Sequence, residues 1–168
     1  MIIIRLFTFV VAPPERVFDL ARSIEAHLHS ASGTKERAVA GVNSGLLKLA
    51  DEVTWEARHF GVKQQLTVRI TSMERPFRFE DVMLSGAFKR MKHYHEFIDT
   101  SLGTNAFANL PPGTLMVDRF EFESPWGILG RMVDRLFLCH YMRRFLLRRN
   151  QALKQLAESD DWRKYIGN

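Results

Sequence analysis

The sequence predicts an α+β domain in which a curved antiparallel sheet of six to seven strands wraps around a long C-terminal helix. Three observations carry this expectation. Strand-like runs follow one another from Glu52 to Ser124 with short separators, which makes consecutive strands antiparallel neighbours. A short amphipathic segment stands between a first strand and this meander, and one long helical segment follows it. The order is therefore strand, helix, strand, meander, helix.

Ile2 to Val11 alternates loosely and is rich in β-branched residues and Phe, which is strand chemistry. Pro13 and Pro14 stop it, and Pro14-Glu15 suits the first turn of a helix. Val17, Phe18, Ala21, Ile24 and Leu28 then recur at helical spacing, so one helix is expected from Pro14 to the Ser30 to Gly33 cluster. Glu36 to Gly41 reads as a short second strand, followed by a turn at Asn43-Ser44-Gly45. Further strands are expected near 52–60, 64–73, 77–85, 89–100 and 114–124. Gly61-Val62-Lys63, Glu74-Arg75-Pro76 and Ser85-Gly86-Ala87 separate them, with one longer loop, Ser101 to Gly113, around Phe107 and Leu110. Ser124-Pro125 combines a hydroxyl N-cap with Pro at the first position. The helix it opens is expected to run to about Glu158, with Gly127 and Gly130 weakening only its first turn.

A chain of 168 residues, 46% hydrophobic and 26% charged, is one ordinary soluble domain. No repeat or linker divides it, so residues 1–168 are expected to form a single ligand-binding domain. Thirteen Phe allow a wide apolar interior. The single Cys139 fits a reducing compartment. The apolar start, Met1 to Glu15, has no basic region before it and reads as a strand rather than a leader. No run approaches the roughly 18 apolar residues of a membrane span, and a cytoplasmic location is expected. The net charge of +5 is concentrated late, in Arg143, Arg144, Arg148 and Arg149. Basic charge without zinc-ligand spacing, an RNP-like strand or a helix-turn-helix does not point to nucleic acid.

The faces of the strands are more informative. Val53, Trp55, Ala57 and His59 share one face of their strand; Phe77, Phe79, Asp81 and Met83 share one face of theirs. Met91, His93, His95 and Phe97 do the same, as do Met116, Asp118, Phe120 and Phe122. The opposite faces carry the Arg, Lys and Glu residues, so these faces point inward. Titratable groups repeated on inward faces are costly unless paired or wetted, which predicts a lined cavity rather than a dry core. Asp81, His93, His95 and Asp118 should meet on neighbouring strands. Three readings stay open for them: a paired interior network, a polar anchor for an apolar guest, or acid–base catalysis. No nucleophile or Gly-rich oxyanion loop accompanies them. His93-x-His95 with Asp81 or Asp118 has metal-site spacing, but two His with unplaced carboxylates is a weak metal signal, so neither metal nor cofactor is expected.

These residues resemble a known group. The run from Asp51 to Gly61, DEVTWEARHFG, is similar to the START/polyketide-cyclase-like (SRPBCC, helix-grip) superfamily, in a bacterial ligand-binding-like branch. Further matches are Pro76-x-x-Phe79-x-Asp81, Gly86-x-Phe88 with His93-x-His95-x-Phe97, and Asp118-Arg119 leading to Pro125-x-Gly127. The resemblance covers nearly the whole chain. It implies a sheet gripping the C-terminal helix around a hydrophobic tunnel, in a superfamily whose members carry lipids, bind metabolites or cyclise polyketides. The cyclases' catalytic arrangements have no motif match here.

On the terminal helix, Leu129, Val133, Leu136, Phe137 and His140 form one apolar stripe; Leu138, Met142, Phe145, Leu146, Leu153 and Leu156 form another. A helix apolar on two sides needs two partners. The cavity supplies one, and a flanking helix, a second copy of the chain or a membrane supplies the other. The Arg143, Arg144, Arg148 and Arg149 group beside Phe145-Leu146-Leu147 matches a basic-apolar membrane contact. The expected function is binding of a small hydrophobic molecule, lipid-like, aromatic or polyketide-like. Its walls are expected to be Trp55, His59, Phe79, Asp81, Met83, Met91, His93, His95, Phe97, Met116, Asp118, Phe120, Val133 and Phe137. The alternatives are an acid–base enzyme of cyclase or aromatase type using His93, His95, Asp118 or Asp81, and a membrane- or partner-binding protein.

Overall fold

The computed structural model describes residues 1–31, 33, 35–59, 61–102, 110–123 and 137–167. Its strands are β1 (Ile2–Val10), β2 (Arg37–Gly41), β3 (Glu52–His59), β4 (Val62–Glu74), β5 (Arg78–Ser85), β6 (Arg90–Asp99) and β7 (Thr114–Glu123). They form one sheet in the order β1-β7-β6-β5-β4-β3-β2, with every neighbouring pair antiparallel. The run β2 to β7 is a meander in chain order, as its mostly short connections require, and β1 adds beside β7. Register shifts leave an extra residue in β2 at Val39, in β5 at Leu84 and in β4 at Thr71, each a bulge. Bulges bend a strand and raise its twist, which curves this half of the sheet.

The helices are α1 (Pro14–Ala21), α2 (Ile24–Ser30), α3 (Cys139–Glu158) and α4 (Arg163–Ile166). The single N-terminal helix of the sequence reading is two. The backbone around Ser23 is claimed by the segment after β2: Ile24 N donates to Gly45 O at 2.9 Å, and Leu47 N donates to Arg22 O at 3.0 Å. Ser23 then caps α2, its hydroxyl accepting from Ala26 N at 3.3 Å. A tertiary docking site of this kind overrides the continuous apolar stripe.

α3 crosses the sheet from one edge region to the other. Near its start, the Tyr141 hydroxyl lies 2.6 Å from His59 Nδ1 on β3. Farther on, Asn150 Nδ2 reaches Asp118 on β7 and Thr8 on β1, and Lys154 Nζ donates to Phe9 O on β1 at 2.8 Å. Glu158 ends the helix by accepting from Val11 N at 2.7 Å. The stripe of Met142, Leu146 and Leu156 is buried by this crossing, whereas Phe137 is 69% exposed. No described helix is long and apolar enough to cross a membrane. The expected helix start at Ser124-Pro125, the stripe residues Leu129, Val133 and Leu136, and Phe107 lie outside the described residues.

The dry core lies under α1 and the β6–β7–β1 side of the sheet. Phe18 is fully buried and packs edge-on against Phe79 and Phe97, with ring centroids 5.5 and 5.3 Å away. Val10, Val17, Leu20, Met116 and Phe122 complete it. Burial of each such side chain is worth about 1.5–3 kcal/mol. Phe77, expected to face inward with Phe79, is 54% exposed; it precedes β5, so the alternation does not reach it. The outer face carries ion pairs along and between strands, such as Lys92 with Glu80 at 2.7 Å and Arg37 with Glu56 at 2.7 Å.

Candidate functional site

Between strands β3 to β7 of the sheet and helices α2 and α3 lies a cavity of about 630 Å³. The sheet contributes Trp55, Leu66, Val68, Phe79, Met91 and Phe120 to its wall, and α3 contributes Met142, Phe145 and Leu146. Of the residues expected to line a pocket, Trp55, His59, Phe79, Asp81 and Met91 border this space. His93, His95, Phe120 and Phe137 border it too. Met83, Phe97, Met116 and Asp118 are not among its lining residues. Phe97 and Met116 sit in the core, each 1% exposed, and Phe18 of α1 packs on Phe97 with ring centroids 5.3 Å apart. Asp118 lies beneath the histidine rings, as described next. Val133 lies outside the described residues.

Strand register brings the four titratable residues together. Asp81 pairs with His93 across β5–β6, and His95 pairs with Asp118 across β6–β7. Asp118 Oδ1 is 2.7 Å from His95 Nδ1 and 3.2 Å from His93 Nε2, and Asp81 Oδ2 is 3.7 Å from His95 Nε2. The two short approaches to Asp118 Oδ1 do not align with the ring N–H bonds, so they are close charge contacts rather than well-formed hydrogen bonds. The other Asp118 oxygen accepts from Asn150 Nδ2 at 2.5 Å, and the same amide donates to Thr8 Oγ1 at 3.2 Å.

The electrostatics follow from this packing. Burial disfavours a charged Asp118, yet the two imidazoles outweigh it and hold the carboxyl well below its ordinary range. Asp81 is lowered in the same way, chiefly by His95 against burial. Burial also opposes a charged His95, but Asp118 and Asp81 push its pKa up to about 9. His93 goes the other way, lowered by burial and by the adjacent His95. At neutral pH the pair is thus one imidazolium and one neutral imidazole.

A second polar group stands on the cavity wall, and sequence reasoning missed it. His27 of α2 stacks flat on Trp55, centroids 3.8 Å apart and 7° between planes. Its Nδ1 is 2.8 Å from Arg149 Nη2 and its Nε2 is 3.2 Å from Glu36 Oε1. A guanidinium only donates, so Nδ1 is the acceptor and Nε2–H donates to Glu36. That tautomer of a neutral ring serves both contacts. Burial, then the Arg149 charge, accordingly lowers the His27 pKa. Glu36 is lowered too, because His27 and Arg149 outweigh its burial. Arg149, expected on the basic outer face with Arg143, Arg144 and Arg148, turns to the cavity instead, while those three are exposed. His59 completes the wall and stays below its usual pKa through burial.

The missed residues carry a signal of the same type as the strand histidines. His27 is three residues after Ile24 in the apolar stripe of α2, and Asn150 is four residues after Leu146 in the buried stripe of α3. Both are polar groups on apolar helix faces. Glu36 has no such signal, since it belongs to the short stretch before β2. Chemically, the site offers an apolar chamber, a charged imidazolium donor at His95, a neutral imidazole at His93 and the Glu36–His27–Arg149 group.

No family model matches the chain, and no curated protein matches it in sequence. Solved structures match it closely in fold. A Thermus thermophilus protein, TTHA0849, superposes with a TM-score of 0.70 at 20% identity, over 92% of this chain and 95% of that one. A START superfamily protein from Mycobacterium smegmatis gives 0.65 at 16% identity, over 93% and 97%. Ginseng major latex-like protein 151 from Panax ginseng gives 0.63 at 13% identity, over 94% and 97%. At these identities the likeness is one of fold: a helix-grip sheet and terminal helix enclosing a cavity.

Proposed function

We propose that this helix-grip chain binds a small hydrophobic molecule, lipid-like, aromatic or polyketide-like, in the cavity between the sheet and α3. The observation that carries the reading is the cavity itself. About 630 Å³ of space has an apolar and aromatic wall interrupted by a few convergent polar side chains. Binding sites for small molecules have this volume and this composition. The apolar body of the guest lies against Trp55, Leu66, Phe120 and Phe145, and its oxygen-bearing end meets His95, His93 or Arg149. Likeness to a START superfamily protein supports the same reading at the level of fold.

Denaturing mass spectrometry of freshly purified chain tests it: a co-purifying small molecule, or saturable uptake of fatty acids, sterols or polycyclic aromatics that quenches Trp fluorescence, is expected. A clean chain that takes up none of these would sink the proposal. A membrane source for the guest is a further part of this reading. Arg143, Arg144 and Arg148 are exposed on α3 beside Leu147, itself 43% exposed, a basic-apolar surface suited to anionic lipid. Flotation should fall when the vesicles lose their anionic lipid and when the three arginines become Gln, and flotation that ignores both changes would remove it.

A further inference from the structure

We infer that Asp81, His93 and His95 form a site for a divalent transition-metal ion on the cavity wall. One ligand atom from each of the three lies within 4.8 Å of the others, and the backbone sets this arrangement. The two histidines project from the same face of β6, and Asp81 is the register partner of His93 on β5. Strands hold ligands more rigidly than loops, so the triad needs little reorganisation to coordinate an ion.

The residue behind the triad strengthens the assignment. Metal-bound imidazoles regularly hold their second nitrogen against a carboxylate, which orients the ring and raises its basicity. Asp118 Oδ1 stands against both rings at once, in close charge contact 2.7 Å from His95 Nδ1 and 3.2 Å from His93 Nε2. A bound ion would displace the proton that His95 carries at neutral pH and take the ring nitrogen turned away from Asp118. For His95 that atom is Nε2, already 3.7 Å from Asp81 Oδ2. Asp118 is itself held from behind by Asn150 Nδ2 at 2.5 Å. It is a positioning residue rather than a ligand, 1% exposed and outside the cavity lining.

The donor set selects the ion. Two imidazole nitrogens and one carboxylate, without thiolate, suit Zn²⁺, Fe²⁺, Co²⁺ and their row rather than Ca²⁺, Mg²⁺ or Cu⁺. Three protein ligands leave coordination positions open, and since Asp81, His93 and His95 all border the cavity, the open side faces that space. The inference stands whether or not an organic guest binds there.

The test uses chelator-treated full-length chain titrated with Co²⁺ alone and then with Zn²⁺ as competitor. One Co²⁺ per chain is expected, with visible absorption bands that Zn²⁺ abolishes and X-ray absorption showing two imidazoles on the ion. Asp81→Asn and His93→Gln should each weaken Co²⁺ about 100-fold, and Asp118→Asn about 10-fold or more as an orienting carboxylate. His140→Gln, at an exposed histidine of α3, should change nothing. Circular dichroism of each apo variant checks folding, and the wild-type absorption data decide the matter if a variant does not fold. Wild-type chain with no saturable uptake up to about millimolar Co²⁺, uptake surviving in the Asp81→Asn/His93→Gln double variant, or a spectrum without imidazole would overturn the site. Any of these would leave the triad a purely structural charge cluster.

Discussion

Replacing Asn150 with Leu tests how Asp118 is kept ionised in the interior. The wild-type amide donates to Asp118 Oδ2 at 2.5 Å and to Thr8 Oγ1 at 3.2 Å, from a side chain only 8% exposed. Leu keeps the volume and removes both donors. Losing a hydrogen bond to a charged group costs about 1.5–3 kcal/mol and a neutral one about 0.5–1.5. Extra apolar burial returns somewhat less than about 1 kcal/mol, so a net loss of about 3 kcal/mol is expected. For a domain of this size that lowers Tm by roughly 6–12 °C. Urea unfolding at pH 7, followed by circular dichroism, reads the loss as a shifted midpoint at unchanged slope. Asn150→Asp would be worse, because it sets a second carboxylate against Asp118. A loss below about 1 kcal/mol for Asn150→Leu would refute the reasoning that Asp118 depends on this donor.

Acid should act on His27. Burial and Arg149 hold its folded pKa below the ordinary 6.5, so the unfolded chain protonates first as pH falls. The stability it contributes is complete above about pH 6.5 and is lost below it, by up to about 1.4 kcal/mol per pH unit. His27→Gln should lose less stability than wild type between pH 7.5 and 5.5; parallel losses in urea titrations would contradict this. Phe97→Ala should cost about 3–5 kcal/mol as a core cavity while leaving hydrophobic-dye uptake nearly unchanged. Ala57→Phe, which fills the cavity wall, should do the reverse and cut dye affinity about tenfold (about 1.4 kcal/mol), read by fluorescence titration. Tyr141→Phe removes the 2.6 Å contact with His59 and should cost about 1 kcal/mol, seen as faster amide exchange in the first turns of α3.

Much of the fold is legible along the chain because strands and helices advertise themselves locally. Alternation places Trp55, Phe79, His93 and Asp118 on one face, and the short turns between β3, β4, β5 and β6 leave only an antiparallel meander. Asp81, His93, His95 and Asp118 could be grouped because neighbouring strands align residue against residue. Residues on the helices were harder to place. Which strand α3 passes over at Asn150, and that Arg149 turns inward toward His27, depends on where a rigid helix lies across a curved sheet. No local period encodes that.

The break at Ser23 has the same origin, since it is made by the Gly45–Leu47 segment docking on the helix backbone. The division of the inward face into wall and core is also tertiary. Phe97 and Met116 share the alternation of His93 and Phe120, yet the first pair is buried in the core, with Phe18 of α1 on Phe97, while the second borders the cavity. The sequence by itself determined which side chains face the interior, because pleating and hydrophobic periodicity are local. Only the tertiary structure decided which of them face a cavity and which polar groups meet, because helix placement depends on packing between segments far apart in the chain.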